Sequence, residues 1–320
     1  MHLLQIESPG QAVWRPAAMP ELREGEVLLR VEGVTTCPHW DMHVLDGEPM
    51  FPGMEMPYPY TPGQPGHEAV GTVERLGPGA DAFPAGARVA AWRDPGGRRQ
   101  GAYARYMPIH QDDLLAVGDD VPAEAIASLE LAMCVQVSFD QLMRVDAVAG
   151  KRVGVSGMGP AGLIAVQMAR AYGAAEVVAF DVLEDRLALA RSLGADAAMH
   201  PGAFASRRRD AGALDAALDT TGLKRSIEFL VDCTRETVAI FGVLREVVGF
   251  GPANWWGGFS LMGYGQHNRA AGERALDLIA SGRLDLKPLV THTLPFTRYS
   301  EGIALLRSKE AIKILFDPWA

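Results

Sequence analysis

The chain has 320 residues, 48% of them hydrophobic and 22% charged, with a formal net charge of −9. That length predicts two domains, the composition is that of an ordinary soluble globular protein, and the acidic balance excludes a nucleic-acid surface. The one basic run, Arg207-Arg208-Arg209, is followed at once by Asp210 and predicts a solvated loop.

Up to about residue 120 the chain is rich in Gly and Pro, with short alternating runs. Glu26–Val34, Glu68–Gly77 and Ala87–Trp92 predict strands of a mostly β domain with many turns. Between Pro49 and Pro65 lie six prolines (49, 52, 57, 59, 62 and 65), which exclude helix and predict an irregular segment walling a cleft. Near Pro122 the pattern changes to helix over 123–145, then strand 152–156, helix 162–172, strand 176–180 and helix 184–193. Strands over 213–219 and 237–242 continue it. This alternation predicts a parallel sheet of the doubly wound α/β class. A helix over 272–280, a strand over 289–294, a helix over 299–307 and a strand over 312–316 close the chain. The expected division is 1–122, 123–268 and 269–320. Cys37, Cys134 and Cys233 are three and widely spaced, which predicts no disulfide framework. With no signal-peptide pattern and no long uncharged apolar run, the expected location is cytoplasmic and off the membrane.

The strand at 152–156 runs into Gly157-Met158-Gly159-Pro160-Ala161-Gly162, a helix follows, and the second strand ends at Asp181, 24 positions after Gly157. In that order these are the parts of a dinucleotide-binding βαβ (Rossmann) unit. Gly157 permits the tight turn, Gly159 lets backbone approach a pyrophosphate, and Gly162 lets helix and strand pack closely. Pro160 and Ala161 open the helix whose unpaired N–H groups and dipole face the phosphates. A carboxylate at Asp181 hydrogen-bonds ribose hydroxyls and repels a 2′-phosphate, so NAD is expected over NADP. The alternative is a strand-end Asp that caps a turn.

Three places upstream collect metal-competent side chains: Cys37-Pro38-His39-Trp40-Asp41-Met42-His43, Gly66-His67-Glu68, and Leu129-Glu130-Leu131-Ala132-Met133-Cys134. With the glycine turn, Asp181, Asp219-Thr220-Thr221-Gly222 and the ending from Lys287 to Phe316, the whole chain resembles the zinc-dependent medium-chain dehydrogenase/reductases, the alcohol and polyol dehydrogenases. The resemblance implies a GroES-like catalytic domain beside the Rossmann domain, to which the C-terminal segment returns. It implies zinc on Cys37, His67 and Glu130, with Cys134 as the alternative third ligand and Glu68 a transient one. Thr220 falls in the cofactor site. Asp41 is expected to orient His67, and His43 to end a proton relay. The family's usual hydroxyl after the Cys is missing, and the readings of His39 are a replacement for it in the relay, a loop histidine, or an extra or replacement zinc ligand. Residues 88 to 107 hold no cysteine, so one catalytic zinc and no structural zinc is expected.

The implied reaction is hydride transfer between a zinc-bound alkoxide or carbonyl and nicotinamide, on a small alcohol or carbonyl substrate, in a homodimer or homotetramer. Trp40, Met50, Phe51, Trp92, Trp255, Trp256 and Phe259 are available to line a pocket for a bulky apolar alcohol, whereas the polyol-like Glu130 argues for a polar one. The competing readings are a zinc-free quinone or enone reductase of the same superfamily and a non-enzymatic nucleotide-binding relative.

Overall fold

The computed structural model describes residues 1–51 and 53–320, without the Ala253 side chain; Pro52, one of the prolines of the expected cleft wall, lies outside the described residues. The chain forms two compact units, Met1–Leu131 with Leu286–Ala320, and Ala132–Asp285. These boundaries fall later than the sequence patterns place them. Helix Arg269–Ala280 belongs to the second unit, where Arg274 Nε donates to Asp140 Oδ1 at 3.1 Å and the Asp285 N–H donates to Gln167 Oε1 at 2.8 Å.

In the first unit the strands run in the order Val290–Pro295, Lys313–Asp317, Glu26–Thr35, Glu68–Leu76, Arg88–Ala91, Leu114–Ala116, with Tyr106–His110 also paired to Glu26–Thr35. All pairings are antiparallel except the first, between the two C-terminal strands. Strand Glu26–Thr35 is almost entirely buried, so its Val and Leu side chains face a core on both sides. Tyr103, Phe296, Tyr299 and Phe316 complete that core, which explains how the C-terminal residues join the N-terminal ones. An N-terminal hairpin, His2–Ser8 with Gln11–Pro16, and the helix Pro38–Asp46 were not apparent in the sequence patterns. That helix begins with Pro38 at its first position and ends at Gly47, whose φ of 77° is left-handed, so its stop and start signals are the ordinary ones.

In the second unit six parallel strands lie in the order Ala197–Met199, Glu176–Phe180, Arg152–Ser156, Leu214–Asp219, Thr234–Ile240, Ser260–Met262. In sequence order this is 3-2-1-4-5-6, the doubly wound dinucleotide-binding arrangement. Strand 152–156 is central, and the switch point of such a sheet lies at its C-terminal end, where the glycine turn sits. Helix Pro160–Ala171 is buried from Ala161 through Ala169, as its nearly uninterrupted apolar sequence requires. The helix expected over 123–145 is two, Ala123–Ile126 and Leu129–Met143.

Candidate active site

Pairing of the two central strands of the first unit positions the site. Thr35 lies opposite Glu68 in the antiparallel register. Cys37, two residues beyond one strand end, and His67, one residue before the other, therefore emerge at the same edge. The Thr35 hydroxyl donates to Glu68 Oε2 at 3.0 Å and lies 2.8 Å from Ser128 Oγ, which pins the start of helix Leu129–Met143 there. Glu130 sits in the first turn of that helix and places Oε2 3.7 Å from His67 Nε2. Donor atoms of Cys37, His67 and Glu68 all lie within 4.8 Å of one another.

His67 is buried, and its Nδ1 hydrogen donates to the Pro65 carbonyl at 2.7 Å, leaving Nε2 directed at the other donors. Burial alone would lower its pKa. The hydrogen bond to Cys37 and the charges of Glu130 and Asp94 overcome that and hold the imidazole well above its ordinary value. A half-buried thiol with a buried imidazole and carboxylate, which together draw positive charge, fits a zinc ion by donor type and by number.

Asp41 does not take the place expected of it. His67 Nδ1 is held by Pro65, and the fully buried Asp41 carboxylate accepts instead from the Cys37 backbone N–H at 2.9 Å, from Tyr103 Oη at 2.8 Å and from Tyr299 Oη at 2.8 Å. It organises the Cys37 turn. Burial raises its pKa to about 6, against the lowering effect of those hydrogen bonds. His39 is exposed and His43 half-buried one helical turn later, with ring centroids 6.5 Å apart. His43 Nδ1 lies 3.1 Å from the Glu48 carbonyl. Cys134 Sγ lies 3.4 Å from His267 Nε2, a partner absent from the sequence reading.

Sequence reasoning also missed Lys313. Its Nζ is fully buried and donates to both Glu68 carboxylate oxygens at 2.6 Å and to the Thr36 carbonyl. The signal was available: a lysine inside the apolar run Ile312 to Phe316 demands a buried anion.

Beside His67 is a pocket of about 140 Å³ lined by Trp40, Met54, Tyr60, Gln64 and Asp94 among others. Of the aromatic candidates only Trp40 reaches it. Met50 and Trp92 are buried in packing, and Phe51, Trp255 and Trp256 are exposed. Arg208 is not simply solvated, since its Nη1 donates to the Asn254 carbonyl at 2.8 Å and its guanidinium lies 4.5 Å from the Phe259 ring centre.

In the second unit Gly157 has φ +91°, and a Cβ there would meet Thr220 Oγ1 at 2.9 Å. A Cβ on Gly162 would fall 1.7 Å from the Gly157 carbonyl oxygen, while a Cβ on Gly159 would meet nothing within 4 Å. The first and third glycines are thus demanded by the protein itself. The second faces open space, the cradle a pyrophosphate needs. Thr220 Oγ1 donates to the Gly157 carbonyl at 2.7 Å and fastens the turn to the neighbouring strand. Asp181 accepts the Met158 N–H at 2.6 Å on Oδ2 and those of Val182 and Leu183 at 2.7 and 3.0 Å on Oδ1. It caps its own turn and braces the glycine loop. The buried Arg186, five residues on, lies close enough for the charge of Asp181 to act on it, a neighbour that Val182 and Leu183 do not reveal.

Comparison with known proteins matches residues 23–119 to the family described as alcohol dehydrogenase GroES-like domain and residues 160–281 to zinc-binding dehydrogenase. An L-threonine 3-dehydrogenase from Anaeromyxobacter sp. (strain Fw109-5) is 28% identical, with 96% of each chain covered. An alcohol dehydrogenase from Geobacillus stearothermophilus is 31% identical over 62% of each. A solved structure from Sinorhizobium meliloti 1021 bound to NADP, itself provisionally described as a zinc-binding dehydrogenase, superposes with a TM-score of 0.85 at 23% identity over 99% of both chains.

Proposed function

This chain belongs to the zinc-dependent medium-chain dehydrogenase/reductase family, an oxidoreductase acting on CH–OH groups, and within it we propose a zinc- and NAD-dependent dehydrogenase of small alcohols or polyols. The observation that carries the reading is the convergence of Cys37 and His67 at one strand edge, with Glu130 Oε2 3.7 Å from His67 Nε2 and His67 Nδ1 already tied to Pro65. Those three residues would hold a single catalytic zinc, which when bound supplies Lewis acidity toward an alcohol or carbonyl oxygen.

The Pro65 carbonyl fixes the imidazole tautomer so that Nε2 is the ligating nitrogen. Lys313 neutralises Glu68 and keeps its carboxylate at the rim of the donor set, where it can approach transiently. Asp41 holds the Cys37 turn, and His39 with His43 offers the route by which the substrate proton leaves. Gly157, Gly159, Pro160, Ala161, Gly162 and Thr220 form the pyrophosphate cradle. Asp181 exchanges its backbone partners for the adenosine ribose and disfavours a 2′-phosphate, which gives NAD over NADP. A homodimer or homotetramer and a cytoplasmic location complete the proposal. Among the described residues no helix is long and apolar enough to cross a membrane, and no cysteine is in a disulfide.

Metal analysis with NAD-linked activity on an alcohol and polyol panel tests this. One zinc per chain is expected, lost with activity in Glu130→Ala and retained in Cys134→Ala. Active, metal-free protein would overturn the zinc reading, and zinc loss confined to Cys134→Ala would overturn the third ligand.

A further inference from the structure

The pocket beside His67 contains one charged group besides the donor set, Asp94, and no Lys or Arg among its lining residues. Asp94 Oδ1 accepts the Gly96 N–H at 2.8 Å, which fixes the carboxylate in its loop and leaves Oδ2 without a protein donor among the described residues. The adjacent Arg93 is turned to Asp113, 3.8 Å away, and Arg99 is bound to Glu26. The charge of Asp94 is felt inside the pocket: after burial it is the next cause of the raised Tyr60 pKa. Around it the pocket is apolar, from Trp40, Met54 and the Tyr60 ring. The Gln64 amide nitrogen is committed to the Gly96 and Arg99 carbonyls.

A cavity of about 140 Å³ takes a molecule close to the size of benzene, roughly six heavy atoms. A carboxylate fixed in a small, partly dry pocket with no cation of its own attracts a positive group and repels a negative one. We propose that Asp94 recognises a substrate ammonium group, so that the preferred substrate is a small amino alcohol without a carboxylate or phosphate. The proposal rests on the dehydrogenase reading for its reacting hydroxyl, and on Asp94 alone for its charge.

Calorimetric titration of zinc-loaded, full-length protein with 1-amino-2-propanol, 1,2-propanediol and lactate tests it, beside NAD-linked oxidation of the same compounds, in parent and Asp94→Asn. Asparagine keeps an oxygen for the Gly96 N–H, so the loop is retained. The parent should bind the amino alcohol about tenfold to a hundredfold tighter than the diol, as a charged hydrogen bond gives, with lactate weakest. In Asp94→Asn that ratio should collapse toward one while the diol changes less than about threefold. A parent without the ammonium preference, or a variant that keeps it, overturns the assignment of Asp94. Ammonium-dependent binding with no reduction of NAD by any compound would sink the dehydrogenase reading and leave Asp94 standing. Diol oxidation without an ammonium preference does the reverse.

Discussion

Lys313→Met removes the cation from a fully buried ion pair and replaces it with an apolar chain of similar length. The side chains of Lys313 and Glu68 are 0% and 1% exposed, and both carboxylate oxygens lie 2.6 Å from Nζ. Without Lys313 the Glu68 carboxylate retains, among the described residues, the Thr35 hydroxyl alone. Breaking such a pair from one side costs about 3–5 kcal/mol, because an uncompensated charge stays buried. At about 2–4 °C per kcal/mol for a unit of this size, the unfolding midpoint should fall by about 6–20 °C. Glu68→Gln combined with Lys313→Met removes both charges and should recover at least half of that loss. Scanning calorimetry of the parent, the single variants and the double variant, each with zinc and with chelator, reads the effect. A loss below about 1 kcal/mol in Lys313→Met, or a double variant no more stable than it, would refute the argument that charge burial governs this site.

Gly162→Ala places a methyl 1.7 Å from the Gly157 carbonyl oxygen and should distort the turn, lowering both thermal stability and NADH binding. Gly159→Ala meets no protein atom within 4 Å, so it should fold with the parent's midpoint and lose nucleotide affinity alone, as fluorescence titration would show. Equal effects in the two would contradict the cradle. The Asp41 carboxyl, raised by burial from 3.8 to about 6, binds a proton more tightly when folded than when unfolded. Its contribution is therefore complete below about pH 4 and is lost as pH rises toward 6, by about 3 kcal/mol. Asp41→Asn should flatten that part of the midpoint-against-pH curve, and an unchanged slope would place the titration elsewhere. Asp181→Ala should raise kcat/KM with NADP relative to NAD; a ratio that does not move would leave Asp181 as a brace of the loop only.

Local signals made the second unit readable. Its apolar strand, its first and third glycines and its apolar helix each serve a backbone requirement that belongs to neighbouring residues. Strand 152–156 and strand 176–180 accordingly fall where periodicity places them. In the first unit the short strands Tyr106–His110 and Leu114–Ala116 escaped notice, because their partners lie far away in the chain and the pairing, more than local propensity, makes them strands. The same limit applies to the site. Cys37, His67 and Glu130 stand out by residue type, but the group that orients His67 is a backbone carbonyl, which carries no sequence signature.

The sequence alone determines the family, the two-part α/β and β organisation and the metal-competent residues, since each depends on residue type and short spacing. Tertiary structure decides their partners. Asp41 turns to Cys37, Tyr103 and Tyr299 because a buried carboxylate collects every donor within reach, wherever in the chain those donors arise. Lys313 meets Glu68 because pairing of strand Lys313–Asp317 with strand Glu26–Thr35 brings it to the edge where Glu68 begins its own strand. Asp94 faces the pocket through the path of a loop between strands, and no local pattern in its neighbourhood encodes that direction.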